Sequence, residues 1–180
     1  MKQHQILRSP DASVSGGAQE VDPLSGAAAG WEAPKYPVIP EGRLVRMECV
    51  SCVYGPTKDT AELPDNEKRY SLTHVWKTTK DYVDREGKPL HAGYKITMRD
   101  PMTPSATPGK RELTWKDIGA RVSMMIKACG KEFANKTEPK NLRDTPELLV
   151  GQIADCKTTI NKASGDFPES NGLKFIPAEN

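Results

Sequence analysis

Cations interleaved with aromatic rings are the residues of this chain best suited to chemistry. Lys68, Arg69, Lys77 and Lys80 fall in one stretch without an acidic residue, and Tyr70 and Trp76 lie among them. Tyr82, Arg85, Lys95 and Arg99 follow closely. Ammonium and guanidinium groups along a groove neutralise phosphates, and exposed flat rings stack on bases, each stack contributing about 1–3 kcal/mol. The combination predicts a surface for single-stranded nucleic acid, with Lys77, Lys95 and Arg99 meeting phosphates and Trp76 or Tyr82 stacking. The competing reading makes Tyr70, Trp76 and Tyr94 core residues and the lysines an ordinary solvated face; for any single ring, burial is the commoner outcome. Strand alternation also sends Trp76 and Lys77 to opposite faces unless a twist or bulge intervenes. The expectation therefore rests on the cluster, not on one ring.

Other chemistries find less support. Cys49-x-x-Cys52 has the spacing of half a zinc site, but Cys129 and Cys156 are solitary. On a regular strand Cys49 and Cys52 face opposite ways, so buried metal-free thiols are expected. His74 and His91 have no carboxylate or thiol at ligand spacing. Gly109-Lys110 lacks the upstream Gly, with Pro104 in its place, and is followed by Arg111 instead of Ser or Thr, so it is no phosphate loop. Glu138-x-Lys140 echoes half of a nuclease metal site but sits in a charged, Pro-containing stretch with no partner carboxylate. The expectation is a non-enzyme without cofactor or metal.

The elements that must position these groups follow from periodicity. Residues 43–54 alternate as a strand, with Val45, Met47, Cys49, Ser51 and Val53 on one face. Residues 69–78 alternate Tyr70, Leu72, His74 and Trp76 against Ser71, Thr73, Val75 and Lys77, and 93–99 return after the turn signal Asp84-Arg85-Glu86-Gly87. Thr114 with Asp117 three residues later resembles a capping box. Trp115, Ile118, Val122, Met125, Ile126 and Cys129 then recur at helical spacing, so Trp115 is expected to anchor the helix against a sheet, and Gly130 to stop it. A short helical turn at Thr145-Pro146-Glu147 leads to strands over 152–161 and 173–176. Three strands, a helix and two strands predict a mainly β domain with one principal helix. Its layout is a five-stranded OB-like barrel with the helix between strands 3 and 4.

Residues 1–41, with five prolines and no sustained period, read as a flexible arm whose last part, Trp31 to Pro40 with two aromatics among three prolines, is suited to dock as an extended segment on the domain surface, and 42–180 as the domain. The arm carries three basic and five acidic residues and the remainder 23 basic and 19 acidic, so the folded part is mildly basic. No apolar run is long enough to span a membrane, and residues 1–13 lack a signal-like core, so a soluble cytoplasmic protein is expected.

The segment Leu148-Leu149-Val150-Gly151-Gln152-Ile153-Ala154-Asp155-Cys156-Lys157 resembles a pattern of bacteriophage single-stranded-DNA-binding proteins with an OB-like fold, in which a short helix ends in Gly and feeds a strand. Phe167 to Pro177 is similar to their aromatic, Asn-containing closing strand, and Trp115 to Gly130 sits where they carry a helix. The resemblance spans roughly residues 42–177. It implies sequence-tolerant binding of single-stranded DNA in phage replication or recombination, within the host cytoplasm and beside phage or host replication and recombination proteins, with homo-oligomerisation left open. Lys157 and Lys174, inside the two resembling segments, join Arg69, Trp76, Lys77, Lys80, Tyr82, Arg85, Lys95 and Arg99 as candidate contacts. The acidic tail common in such proteins is absent from the end Pro177-Ala178-Glu179-Asn180. The competing function is a phage protein-interaction module, favoured by the small net charge of +2.

Overall fold

Two-residue alternation of apolar and polar side chains builds the sheet. A computed structural model of the chain describes residues 37–106, 112–164 and 167–178. Its strands are β1 (Leu44–Pro56), β2 (Tyr70–Thr78), β3 (Tyr82–Val83), β4 (Pro89–Leu90), β5 (Lys95–Pro101), β6 (Ile153–Asn161) and β7 (Ser170–Phe175). Between β5 and β6 lie α1 (Trp115–Ala128), α2 (Lys131–Lys136), α3 (Pro139–Asp144) and a 3-10 turn (Pro146–Leu149). The five long strands form one antiparallel sheet in the order β5-β2-β1-β6-β7, and β3 and β4 pair as a small ribbon within the β2–β5 connection.

The barrel expected from the strand order is not closed. The edge strands β5 and β7 approach each other but share no ladder among the described residues; instead the Leu173 N–H donates to Met98 Sδ at 3.3 Å. A thioether sits where a backbone carbonyl would continue the sheet, and sulfur is a weak acceptor.

The inner face of the sheet and α1 enclose the core. Ile118, Val122, Met125 and Ile126 of α1 pack with Met47, Cys49, Leu72, Trp76 and Cys156 of the sheet. The Thr114 side chain accepts from the Asp117 N–H, and Asp117 accepts in return from the Thr114 N–H at 3.0 Å, so the expected capping box starts the helix. Gly130, at φ 103°, occupies the left-handed region after it. The helices α2 and α3 have no counterpart in the sequence reading, because each spans six residues and together they bury only Leu142.

A β-bulge changes β1. The register against β2 slips between Cys49 and Ser51, so Cys52 joins Cys49 on the inner side. The expectation of opposite faces fails because the extra residue reverses the alternation after it. No group of three or more metal-ligating side chains occurs among the described residues.

A buried polar chain crosses the core. The Trp76 indole N–H donates to His74 Nδ1 at 2.6 Å, which leaves Nε2 to carry the proton toward Asp100 Oδ2 at 3.0 Å.

The domain begins before Gly42. Ile39 is fully buried, its N–H donating to Asn171 Oδ1 at 2.8 Å and its carbonyl accepting from Asn171 Nδ2 at 2.9 Å. Thr158 Oγ1 also donates to the Pro40 carbonyl. The boundary expected at residue 41 moves back because two apolar residues, Val38 and Ile39, suffice to seat an extended segment that has no periodicity of its own. The remainder of the expected arm, residues 1–36, lies outside the described residues, as does Gly109-Lys110. No helix among the described residues is long and apolar enough to cross a membrane.

Candidate nucleic-acid interface

The cations and rings of the β2–β5 region part company. Trp76 shares the inner face of β2 with Leu72 and His74 and is fully buried, its ring 5.1 Å from that of Phe175. Tyr82 is buried as well, and its hydroxyl accepts from the Arg46 N–H at 2.8 Å. Neither ring offers a face for stacking, which corrects the expectation for both: no bulge separates Trp76 from Lys77, so alternation puts one in the core and the other outside.

The predicted cations reach the surface in separate places. Lys77 and Lys95 are paired positions on the outer face of β2 and β5, and Arg99 lies further along β5 opposite Thr73. Lys77 Nζ is 3.1 Å from Glu48 Oε2, and Asp59, held below the usual carboxylate range first by a hydrogen bond from Thr57, also feels Arg69 and Arg99. Arg85 is engaged in a two-pronged contact, Nη1 and Nη2 each donating to Glu169 at 3.0 Å. Lys80 lies 5.8 Å from the centre of the Tyr82 ring, while Lys157 and Lys174 stand opposite one another on β6 and β7. No single furrow joins these residues.

A different set of rings and cations does share a groove. Tyr54, near the end of β1, stacks on Tyr70 at the start of β2, with ring centres 5.2 Å apart and planes 7° from parallel. Trp115 opens α1 beside them and is 69 % exposed. The three rings line a groove of about 380 Å³ with Lys68, Lys140 and Arg143. Met102, Ile118 and Val122 contribute its apolar floor. Trp115 does share the helical stripe of Ile118 and Val122, as its spacing suggests. Helical side chains lean toward the N-terminus, however, so at the first position the indole overhangs the sheet instead of anchoring on it.

The cations of the groove already have neighbours. Lys68 Nζ is 2.7 Å from Asp65, Lys140 Nζ 2.9 Å from Glu138, and Arg143 Nε 2.8 Å from Asp144. Burial, together with Tyr70, raises the Tyr54 phenol above its ordinary value. Chemically, the groove offers three flat apolar surfaces and three exchangeable cations.

Of this set the sequence reading singled out Tyr70 and named Lys68 beside it. Tyr54, Trp115, Lys140 and Arg143 were missed as contacts. The available signal was positional: an aromatic residue near a strand end, at a strand start and at a helix start. No protein-family model matches the chain, and neither a curated protein nor a solved structure matches it.

Proposed function

We propose that the chain is a sequence-tolerant single-stranded DNA-binding protein that acts by base stacking and phosphate neutralisation, without catalysis. The observation that carries this reading is the groove in which the stacked Tyr54 and Tyr70 and the exposed Trp115 stand beside three cations. Rings held at a groove give each base a stacking surface whatever its identity. The pairs with Asp65, Glu138 and Asp144 do not stand against this. Each has at least one partner more than half exposed, and exposed ion pairs are screened by solvent and contribute little, so a phosphate can replace the carboxylate. The strand order β5-β2-β1-β6-β7 with helices between β5 and β6 supports an OB-like layout with an unclosed seam. A role in phage replication or recombination rests on the resemblance of residues 148–157 and 167–177 alone.

Titration with unstructured oligothymidine tests the proposal. Tryptophan fluorescence should be quenched with salt-sensitive affinity, and Trp115→Ala should weaken binding roughly 5- to 150-fold, the equivalent of one stack. Trp76→Phe should leave the quenching in place, since that indole is sealed in the core. Affinity for single strands no higher than for duplex, or an unaltered Trp115→Ala variant, would overturn the reading.

A second reading, docking of another protein in the same groove, is favoured by one observation: the lining cations are already matched by carboxylates. A partner retained after nuclease treatment, released by Trp115→Ala, and found alongside a failure to bind oligothymidine would decide for it.

A further inference from the structure

We infer that the outer face of β6 and β7, with the adjoining start of β1, is a second phosphate-binding surface that takes the backbone of a nucleic-acid strand and leaves its bases to the aromatic groove; this rests on the function proposed above. Lys157 and Lys174 are exposed and are directly opposed partners in the β6–β7 ladder. Like charges placed opposite one another destabilise a sheet, so the pair is a local cost that an incoming anion would relieve. The same row continues to Leu44 of β1, the ladder partner of Lys157. Beside Leu44, a depression of about 570 Å³ is lined by Arg43 and Lys80, which adds two cations at the end of that row.

The contrast with the groove is electrostatic. Among the described residues, no carboxylate lies within 4.0 Å of Arg43, Lys80, Lys157 or Lys174. Two of the nearby acids have other partners. Asp81, in the depression, accepts from the Ala92 N–H at 2.7 Å and lies 3.6 Å from His91, while Asp155 on β6 stands 3.9 Å from Arg46. A phosphate therefore meets these cations without displacing a carboxylate. Among the described residues the one ring lining the depression, Tyr82, is buried, so this surface recognises charge and not bases.

The test compares the wild-type chain with Lys157→Gln/Lys174→Gln on oligothymidines of about 8 and about 30 nucleotides, the shorter fitting one binding domain and the longer extending beyond it. Both lysines are exposed and mutually repulsive, so the variant should melt no lower than wild type. On the long oligonucleotide its log affinity against log salt should flatten by about 1.4, at about 0.7 for each lost phosphate contact, while the short one binds unchanged. An equal salt slope for variant and wild type would overturn the second surface and leave the groove standing. Loss of binding to vesicles of anionic phospholipid, with oligonucleotide binding unaltered, would assign the surface to a membrane and likewise overturn it. A wild-type chain that binds no oligothymidine removes both proposals.

Discussion

Burial sets the behaviour of the cysteines. Desolvation, the leading cause in each case, lifts Cys49 to about 11 and Cys52 and Cys129 to about 12, from an ordinary value of 9.0, and raises Cys156 too. The folded chain thus keeps protons that the unfolded chain releases above about pH 9. Their contribution is fully present below that pH and is lost as pH rises toward 11–12, with each thiol steepening the decline by up to about 1.4 kcal/mol per pH unit. Denaturant midpoints measured from pH 8 to 10.5 should fall, and the fall should lessen in a Cys156→Ala variant after allowance for its cavity. A flat profile would show that the thiols are solvated. The burial of Cys49 and Cys52 was legible in the sequence, but their shared orientation was not, because a one-residue bulge leaves no mark in an alternating pattern.

At the scale of elements, local chemistry wrote the principal helix plainly and the groove hardly at all. Thr114 and Asp117 satisfy each other's backbone donors, and Asp117 places a negative charge in the first turn, where the helix dipole favours it. Replacing Thr114 with Ala should cost about 1 kcal/mol, read as a shift in urea midpoint at unchanged slope. Because Trp115 is the next residue, the same substitution should loosen the groove wall and weaken oligothymidine binding less than Trp115→Ala does. Equal stability of Thr114→Ala and wild type would mean that the cap contributes nothing. Periodicity places Trp115 on the packed stripe of this helix, and only the lean of side chains toward the N-terminus turns it outward. That is a property of position within the element, which residue spacing does not encode. Residues 131–144 were illegible for a simpler reason: two helices of six residues present no repeating apolar face.

Over the whole molecule, the cations of β2 and β5 are separated from Trp76 by the sheet itself, and the half-buried Tyr54 and Tyr70 meet the exposed Trp115 where the strand ends reach α1. Long-range seating of this kind also decides where the domain starts. Residues 37–41 carry no periodic signal, yet Ile39 enters the core and the oxygen and nitrogen of the Asn171 side-chain amide clamp its backbone. A chain beginning at Gly42 loses the burial of Ile39, about 1.5–3 kcal/mol, and leaves the buried Asn171 amide short of partners, about 1–3 kcal/mol more. Against a typical domain stability of about 5–15 kcal/mol, that is a large fraction. A chain beginning at Pro37 keeps both contacts. Thermal unfolding followed by circular dichroism should therefore place the Gly42 start well below the full chain and the Pro37 start close to it. If the Gly42 start melts with the full chain, the extended segment is a passenger on the domain. Asn171→Ala separates the two contributions, since it removes the clamp but leaves Ile39 in place, and its melting temperature should fall between those of the two truncations.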